Sequence, residues 1–285
     1  MRPNNDPFAP LLTHFSARAR LFYSGNLCSH VHFDAADRVG YLHLLRSGQT
    51  RLHDAAGHTA SLSEPCLIFY SRPLTHWFDP DPVTGADLVC ATVAFDNSAF
   101  NPVAQALPAR FECALQELAG PRTLLDVLFE EAAHAHPGRQ EVLNRLFEAV
   151  LIMVMRTSVQ RGKDAAGFLR GLAHPQLGKV LAALHARPGD DWSLESMANI
   201  AGMSRSNFAA TFRREVSETP GDYLTRWRMA IAQSLLRRGR PLKLVAGEVG
   251  YASQPGFLRA FRLVVGMSPK QWLRSSADVG MAPPD

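Results

Sequence analysis

One set of residues occurs twice in the C-terminal third of the chain, and it limits the folds that this region can adopt. Adding 49 to each position of the first copy gives the same residue type in the second. The copies are Ser204, Phe208, Phe212, Arg213, Pro220 and Leu224, then Ser253, Phe257, Phe261, Arg262, Pro269 and Leu273. A repeat at this period indicates one supersecondary unit that is present twice.

Each copy has the residues of two short helices joined by a tight turn. Gly202 suits the left-handed position that ends a helix, and Ser204 supplies an N-cap oxygen for the next helix. Phe208 and Phe212 lie four residues apart, so they are expected to face one core. The residues between them are small or polar and should face outward. The pattern therefore predicts two helix-turn-helix units rather than ordinary helical hairpins.

Basic charge is concentrated on the repeat region. Residues 175–276 hold 15 Lys and Arg against 7 Asp and Glu, although the net charge of the whole chain is only +4. Such an excess is expected of a surface that contacts phosphates.

The region from Trp192 to Arg274 resembles the DNA-binding domain of AraC/XylS-type transcription regulators. The most specific segments are Gly250–Ser253, Phe257–Arg262, Gly266–Pro269 and Trp272–Arg274. The sequence departs from the family pattern at Trp272, where tyrosine is usual, and at Pro255-Gly256. The departure at Pro255-Gly256 concerns the first turn of the second recognition helix, where proline is tolerated.

The resemblance implies which residues contact duplex DNA. Residues on the exposed faces of the two recognition helices are expected to read bases: Ser206, Asn207, Ala209, Ala210, Gln254, Pro255 and Arg259. Basic residues at the rims of these faces are expected to attract phosphates: Arg205, Arg213, Arg262 and Lys270. A connecting helix around Tyr223 to Arg237 is expected to hold both units against one side of the DNA.

The N-terminal part of the chain has short β-rich runs separated by turn residues, which is typical of a sandwich or barrel. The runs are Val31–Phe33, Gly40–Leu45, Gln49–His53, Thr59–Leu62, Leu67–Tyr70 and Leu88–Phe95. The segment from Ser63 to Phe78 resembles part of a small cupin barrel, a sensing domain that is often attached to AraC-type regulators. From Ala109 to Gln160 the apolar spacing becomes helical and predicts two antiparallel helices. These helices could cover the barrel or form a homodimer.

The expected fold class is therefore α+β with two domains, a cupin-like β-barrel carrying a helical hairpin and an all-α double helix-turn-helix domain. We expect the sensing barrel at residues 1–108, the hairpin at 109–160, a linker at 161–174, the DNA-binding domain at 175–276 and a tail at 277–285.

Histidines in the barrel raise the question of a metal. His30 and His32 lie two apart, and His43 and His76 lie on strands where cupin ligands could sit. No His-x-His motif is followed in order by a carboxylate and a later histidine. The spacing therefore favours ordinary histidines, with His43 and His76 as weak metal candidates, and no cofactor is expected.

The four cysteines contain no Cys-x-x-Cys pair, so a zinc knuckle is not indicated. Cys28 lies in a polar stretch two residues from His30, which would favour its thiolate. The barrel also looks like that of a subgroup with oxidant-responsive regulators, so Cys28 and Cys90 are the candidates for redox sensing. A disulfide between them requires Cα atoms within about 7 Å.

Three classes of function remain, and a sequence-specific transcription regulator with a sensing barrel leads them. Its expected partners are double-stranded DNA, the transcription machinery, and either an oxidant or a small-molecule effector. A cupin enzyme with an appended DNA-binding domain lacks a ligand set. An alkyl-acceptor repair protein would need a reactive Pro-Cys-His-Arg segment, which Pro65-Cys66-Leu67-Ile68 does not match.

The sequence contains no signal-peptide pattern and no long apolar run. We therefore expect a cytoplasmic location and no membrane partner.

Overall fold

The computed structural model describes residues 6–15, 17–37, 39–95, 101–162 and 167–279. The chain forms two compact units. One is assembled from Met1–Phe15, Ala99–Pro102 and Arg170–Asp285, and we call it the helical unit. The other is assembled from Ser16–Ser98 and Val103–Leu169, and we call it the barrel unit.

The barrel unit contains two antiparallel sheets, which confirms the expected all-β architecture of this region. Its strands are β1 Ala17–Leu27, β2 Val31–Phe33, β3 Gly40–Gly48, β4 Thr50–Asp54, β5 Thr59–Leu62, β6 Cys66–Tyr70, β7 His76–Pro80, β8 Ala86–Phe95 and β9 Arg110–Ala114. One sheet has the order β1-β8-β3-β6-β9 and the other has the order β2-β7-β4-β5. Strands β1 and β9 were not among the runs predicted from the sequence, and β7 was expected only in that His76 was placed on a strand.

The core of the barrel unit combines side chains from both sheets. Because neighbouring residues of a strand point to opposite faces, Tyr41 and Leu45 of β3 share the inner face with His43 between them. Other members of this core cluster are Phe33, Leu52, Ile68, Tyr70, Phe78, Ala86, Leu88 and Cys90. This apolar interior holds the two sheets together.

An ion pair also joins the two sheets at one end. Arg110 of β9 donates from Nη1 to Oδ2 of the buried Asp54 of β4 at 2.6 Å. The backbone N–H groups of Ala56 and His58 donate to Oδ1 of Asp54, each at 3.0 Å. Burial opposes ionisation of Asp54, but these hydrogen bonds outweigh it and lower the pKa of the carboxyl group. Asp54 is therefore a structural carboxylate with its acceptor sites satisfied.

The predicted helical hairpin is present and covers the barrel. Its helices are α3 Arg122–Ala133 and α4 Arg139–Arg161, preceded by the short α2 Pro102–Ala106. Strand β1 has a bulge between Leu21 and Tyr23. Asn144 of α4 accepts a hydrogen bond from the Leu21 N–H, and Gln140 donates one to the Leu21 carbonyl, both at 3.1 Å. The helix thus satisfies backbone groups that the bulge leaves unpaired, which favours the covering role over dimerisation.

The helical unit consists mainly of the C-terminal residues. Its helices are α1 Ala9–His14, α6 Leu177–Ala186, α7 Leu194–Ala201, α8 Arg205–Val216, α9 Pro220–Arg237, α10 Leu242–Glu248, α11 Gln254–Val265 and α12 Pro269–Val279. Helix α1 packs on α6 and α9, with the Phe15 ring 5.2 Å from that of Trp227. The structure therefore places the N-terminal segment in this unit, whereas the sequence pattern placed it in the barrel.

The predicted linker also differs from the structure. Residues 167–173 form helix α5, Gly167–Ala173, because Phe168 and Leu169 provide an apolar face that is buried. Residues 163–166 of that linker, and residues 280–285 of the predicted tail, lie outside the described part of the chain. No helix among the described residues is long and apolar enough to cross a membrane.

Candidate nucleic-acid interface

The first helix-turn-helix consists of α7 and α8. A capping box between Ser193 and Ser196 begins α7, and Gly202 ends it with φ of 64°. Glycine adopts this left-handed conformation without a steric cost. The Ser204 side chain then accepts a hydrogen bond from the Asn207 N–H at 3.3 Å, which caps α8. The turn residues identified in the sequence therefore have the roles predicted for them.

The second helix-turn-helix consists of α10 and α11 and repeats this geometry. Gly250 has φ of 83°, and the Ser253 side chain accepts from the Gly256 N–H at 3.3 Å. Helix α11 begins at Gln254, so Pro255 lies in its first turn, where its missing N–H costs no helical hydrogen bond. The departure from the family pattern at Pro255-Gly256 does not interrupt the recognition helix.

Pairs of phenylalanines anchor both recognition helices. Phe208 and Phe212 of α8 are fully buried, with ring centroids 5.6 Å apart, and Phe212 contacts Tyr223. In α11, Phe261 is fully buried and contacts Trp272 in the same way. Tyr223 and Trp272 are themselves 49 positions apart, an equivalence that the sequence comparison missed because the residue types differ. Trp272 thus supplies the aromatic ring that anchors the second unit.

Except for Gln254, the predicted base-reading residues lie on the side of each helix opposite these anchors. Gln254 is the first residue of α11, three positions before Phe257, so it lies on the anchored side. Ser206, Asn207, Ala210, Gln254, Pro255 and Arg259 are exposed, and Ala209 is half-buried. The Asn207 Oδ1 accepts a hydrogen bond from the Thr211 hydroxyl at 3.4 Å. The structure therefore brings the predicted residues of α8 onto one exposed face, and it places Pro255 and Arg259 on the corresponding face of α11.

Some basic side chains of the helical unit are ion-paired and others are not. Arg214, Arg226 and Arg240 form ion pairs with Glu215, Glu218 and Glu248. The predicted phosphate-contacting residues Arg205, Arg213, Arg262 and Lys270 are exposed and have no carboxylate partner among the described residues. Arg259 belongs with this second group. These side chains are therefore free to meet a polyanion without first breaking an ion pair.

Helix α9 connects the two helix-turn-helix units. It spans Pro220–Arg237, 18 residues, and begins three residues before the predicted connector. At 1.5 Å per residue it is about 27 Å long. The Thr219 side chain caps it by accepting from the Asp222 N–H, and Pro220 occupies its first turn. This rigid connector is of the length needed to hold two recognition helices about one turn of DNA apart.

The two weak metal candidates meet inside the barrel unit. The Nε2 atoms of His43 and His76 lie 2.9 Å apart, and both side chains are fully buried. His76 Nδ1 must donate to the Leu74 carbonyl at 2.7 Å, so its Nε2 accepts from His43. His30 instead pairs with Asp79, at 2.6 Å, and His32 stacks on Trp77. Within the described residues, no three His, Cys, Asp or Glu side chains form a metal site.

The cysteines are free and differ in exposure. Cys28 is exposed, whereas Cys90 is buried directly opposite His43 in the β3–β8 ladder. Burial raises the pKa of the Cys90 thiol. Cys90 faces Tyr23, five residues before Cys28, so about 16 Å of strand separates the two cysteines. This separation exceeds the distance of about 7 Å between Cα atoms that a disulfide requires. A direct disulfide between Cys28 and Cys90 therefore does not fit the structure.

Comparison with known families assigns both parts of the chain. Residues 6–160 match the cupin family, which is more than half of the sequence. Residues 197–275 match the helix-turn-helix domain family.

The names of individual relatives agree with these family matches. The regulator AlkR of Acinetobacter baylyi is 35% identical over 147 residues, 51% of this chain and 48% of that protein. The chain spans about half the length of the first relatives that it matches. RclR of Escherichia coli, named as an RCS-specific transcriptional activator, is 27% identical over 81% of this chain and 82% of its own. The structure of ToxT from Vibrio cholerae aligns with a TM-score of 0.39 at 11% identity, covering 91% of this chain and 98% of ToxT. The chain therefore belongs to the cupin family and carries a helix-turn-helix domain after its cupin domain, and its relatives are named as AraC-like transcription regulators.

Proposed function

We propose that the protein binds specific duplex DNA sequences through α8 and α11 and thereby regulates transcription. The observation that carries this proposal is the pair of repeat-related helices, each with a small or polar exposed face beside unpaired basic side chains. Helices of this kind enter adjacent major grooves, where their N-terminal residues contact base edges. AdpA, whose DNA-binding domain has been solved in complex with its target DNA, is 27% identical to 38% of this chain.

Arg259 gives the sharpest test of base reading. It is exposed on α11 and long enough for a bidentate contact with guanine. We expect Arg259→Ala to weaken binding to the preferred duplex by about 1–3 kcal/mol and to relax the preference at one base pair. Selection from a random duplex pool followed by fluorescence anisotropy measures both effects. Arg240→Ala is the matched control, because Arg240 is paired with Glu248. Unchanged affinity and preference in Arg259→Ala would show that Arg259 reads no base.

Phosphate contacts are tested by the salt dependence of binding. We expect each of Arg205→Ala, Arg213→Ala, Arg262→Ala and Lys270→Ala to flatten the slope of log K against log salt by about 0.9. These losses should be the same on preferred and unrelated duplexes, since phosphates carry no sequence information. Slopes that stay at the parental value in all four variants contradict the proposed footprint.

The barrel unit is proposed to sense the signal that controls DNA binding. The relatives are named as regulators, which favours this role over that of a cupin enzyme. Two kinds of signal have support. The name of RclR points to an oxidant, and the exposed thiol of Cys28 is accessible to one. Clefts in the barrel unit point to a small molecule instead.

An oxidant signal is tested with cysteine variants in a reporter strain. Because Cys90 and Cys113 are buried, an oxidant should first meet Cys28, and Cys90 could react after the strand moves. We expect Cys28→Ser to abolish the change in reporter output caused by mild oxidant, and Cys113→Ser to retain it. A full response in both Cys28→Ser and Cys90→Ser, or none in the parent, excludes the thiol switch and leaves the small-molecule signal.

A further inference from the structure

A cleft of about 390 Å³ lies in the barrel unit at the open side of the two sheets. Strand β9 ends one sheet and β5 ends the other, and residues of both strands line the cleft. Arg161, the last residue of α4, closes one side. This volume is within the range of pockets that hold small organic ligands.

The floor of the cleft is apolar. Ile68 of β6 is fully buried, and Leu62 of β5 is half-buried. The space behind this floor is filled by aromatic rings, since the Tyr70 and His76 centroids lie 4.1 Å apart and those of Phe33 and His76 lie 4.8 Å apart. A ligand is therefore better accommodated in the cleft than among these rings.

The charged groups of the cleft are mainly acidic. Glu64, Glu112 and Glu117 line it together with one cation, Arg161. Arg161 donates to the Glu117 carboxylate at 2.5 Å and to the Glu112 carbonyl at 2.8 Å, and its guanidinium lies over the Phe111 ring. Because Arg161 pairs with Glu117, the carboxylate of Glu64, which has no ion pair among the described residues, is the main free charge at the cleft, and Glu112 contributes the oxygen that its own ion pair leaves open.

The contacts of Glu112 leave part of its carboxylate available. Its Oε1 atom lies 2.8 Å from Arg110 Nε and 3.4 Å from His58 Nε2, so both contacts use one oxygen. The thiol of Cys66 also lines the cleft. Burial and the Glu112 carboxylate together raise the pKa of Cys66 to about 12.

We propose that this cleft is the effector site of the barrel unit and that it binds monovalent organic cations with an apolar body. The ammonium group of an amine would donate hydrogen bonds to Glu64 and Glu112, and its apolar part would lie on Leu62 and Ile68. A second cleft of about 520 Å³ shares Glu64 and Ala114 with the first and adds Leu125 and Phe129 of α3. Longer apolar bodies can extend along it.

The site is tested by calorimetric titration of the full chain with three molecules of one shape and different charge. These are 4-phenylbutylamine, 4-phenylbutan-1-ol and 4-phenylbutyrate. We expect the amine to bind at least about tenfold more tightly than the alcohol, as for a charge-assisted contact in a half-buried site, and the carboxylate to bind weakest. Equal affinity for the amine and the alcohol would overturn the assignment.

Variants locate the binding to the cleft. We expect Glu64→Gln and Glu112→Gln each to weaken amine binding about five- to tenfold. Glu148→Gln is the control, since Glu148 lies on α4 in an ion pair with Arg145 outside the cleft. Glu64 is exposed, so Glu64→Gln should fold normally. Glu112→Gln loses the ion pair with Arg110, so its affinity is compared only in folded protein. Parental affinity in Glu64→Gln and in folded Glu112→Gln contradicts the site.

The effector role rests on the proposed function, and its failure can be told apart from failure of that function. DNA binding without amine tests the helix-turn-helix proposal alone, and the calorimetry needs no DNA. If the cleft is the effector site, saturating amine shifts the Kd for the preferred duplex at least about threefold in the parent and not in Glu64→Gln. An unchanged Kd in the parent, with the amine bound, overturns the effector role.

Discussion

At the scale of single residues, the buried histidines depend on remaining uncharged. His43 and His76 in the barrel unit are fully buried, and His185 in the helical unit is 1% exposed. Burial lowers the pKa of His76 to about 4 and that of His185 to about 3, and it also lowers the pKa of His43, next to His76. Each imidazole is therefore neutral in the folded protein at neutral pH.

This neutrality makes stability depend on pH in a defined direction. An unfolded histidine has a pKa near 6.5, above the folded value, so the unfolded state takes up protons first as the pH falls. Stability is complete above about pH 6.5 and decreases towards the folded pKa. We expect the free energy of unfolding to be lower at pH 5 than at pH 7.5 by about 2 kcal/mol for each buried histidine.

Urea titrations followed by circular dichroism at the two pH values measure this decrease. His76→Phe keeps a ring against Phe33 and Tyr70 but removes the titrating group, so the transition of the barrel unit should depend less on pH. His134→Phe is the control, because His134 is exposed. An equal pH dependence in the parent and in His76→Phe contradicts this account.

The sequence predicted part of this residue-scale arrangement. The strand positions of His43 and His76 indicated that both could face the barrel interior. Their pairing depends on the register that places residues 33 apart within hydrogen-bond distance, and no local pattern encodes that contact. The outward-facing positions of α8 were easier to predict, since helical spacing alone determines which side chains share a face.

At the scale of elements, side-chain caps determine where the recognition helices begin. Ser204 and Ser253 each accept a backbone N–H at the start of α8 and α11. We expect Ser204→Ala and Ser253→Ala each to lower the free energy of unfolding of the helical unit by about 1 kcal/mol. Ser206→Ala, in the first turn of α8 but not at its cap, should cause no loss. Thermal and urea unfolding measure these differences, and equal stability of all three variants contradicts the capping role.

Helices and strands with a regular spacing of apolar residues were predicted well. Those that form because they pack against distant residues were predicted poorly. The repeat, the caps and the anchoring phenylalanines follow from local spacing. Strand β1 was missed because Arg18 and Arg20 interrupt its apolar pattern, although both alternate with the buried Ala19 and Leu21. Helix α5 was taken as a linker because of its glycines, yet burial of Phe168 and Leu169 outweighs their low helix propensity.

At the scale of the whole molecule, the helical unit is built from segments far apart in sequence. Its N-terminal segment is held by hydrogen bonds from Ser234 to the His14 carbonyl at 2.7 Å and from Arg238 to the Thr13 carbonyl at 2.8 Å. Leu11 of α1 is fully buried. A six-residue helix whose hydrogen-bond partners on α9 lie more than 200 positions away leaves no periodic signal, so the sequence could not predict this association.

The burial of α1 predicts that the start of the chain stabilises the DNA-binding domain. Leu11 and Leu12 are neighbours in α1, but Leu11 is fully buried and Leu12 is 38% exposed. We expect Leu11→Ala to lower the free energy of unfolding of the helical unit by about 2–5 kcal/mol, because it leaves a cavity between α1, α6 and α9. Leu12→Ala should change it by less than about 1 kcal/mol. Calorimetric scans resolve which transition moves. If Leu11→Ala shifts only the transition of the barrel unit, or shifts none, the N-terminal segment is not part of the DNA-binding core.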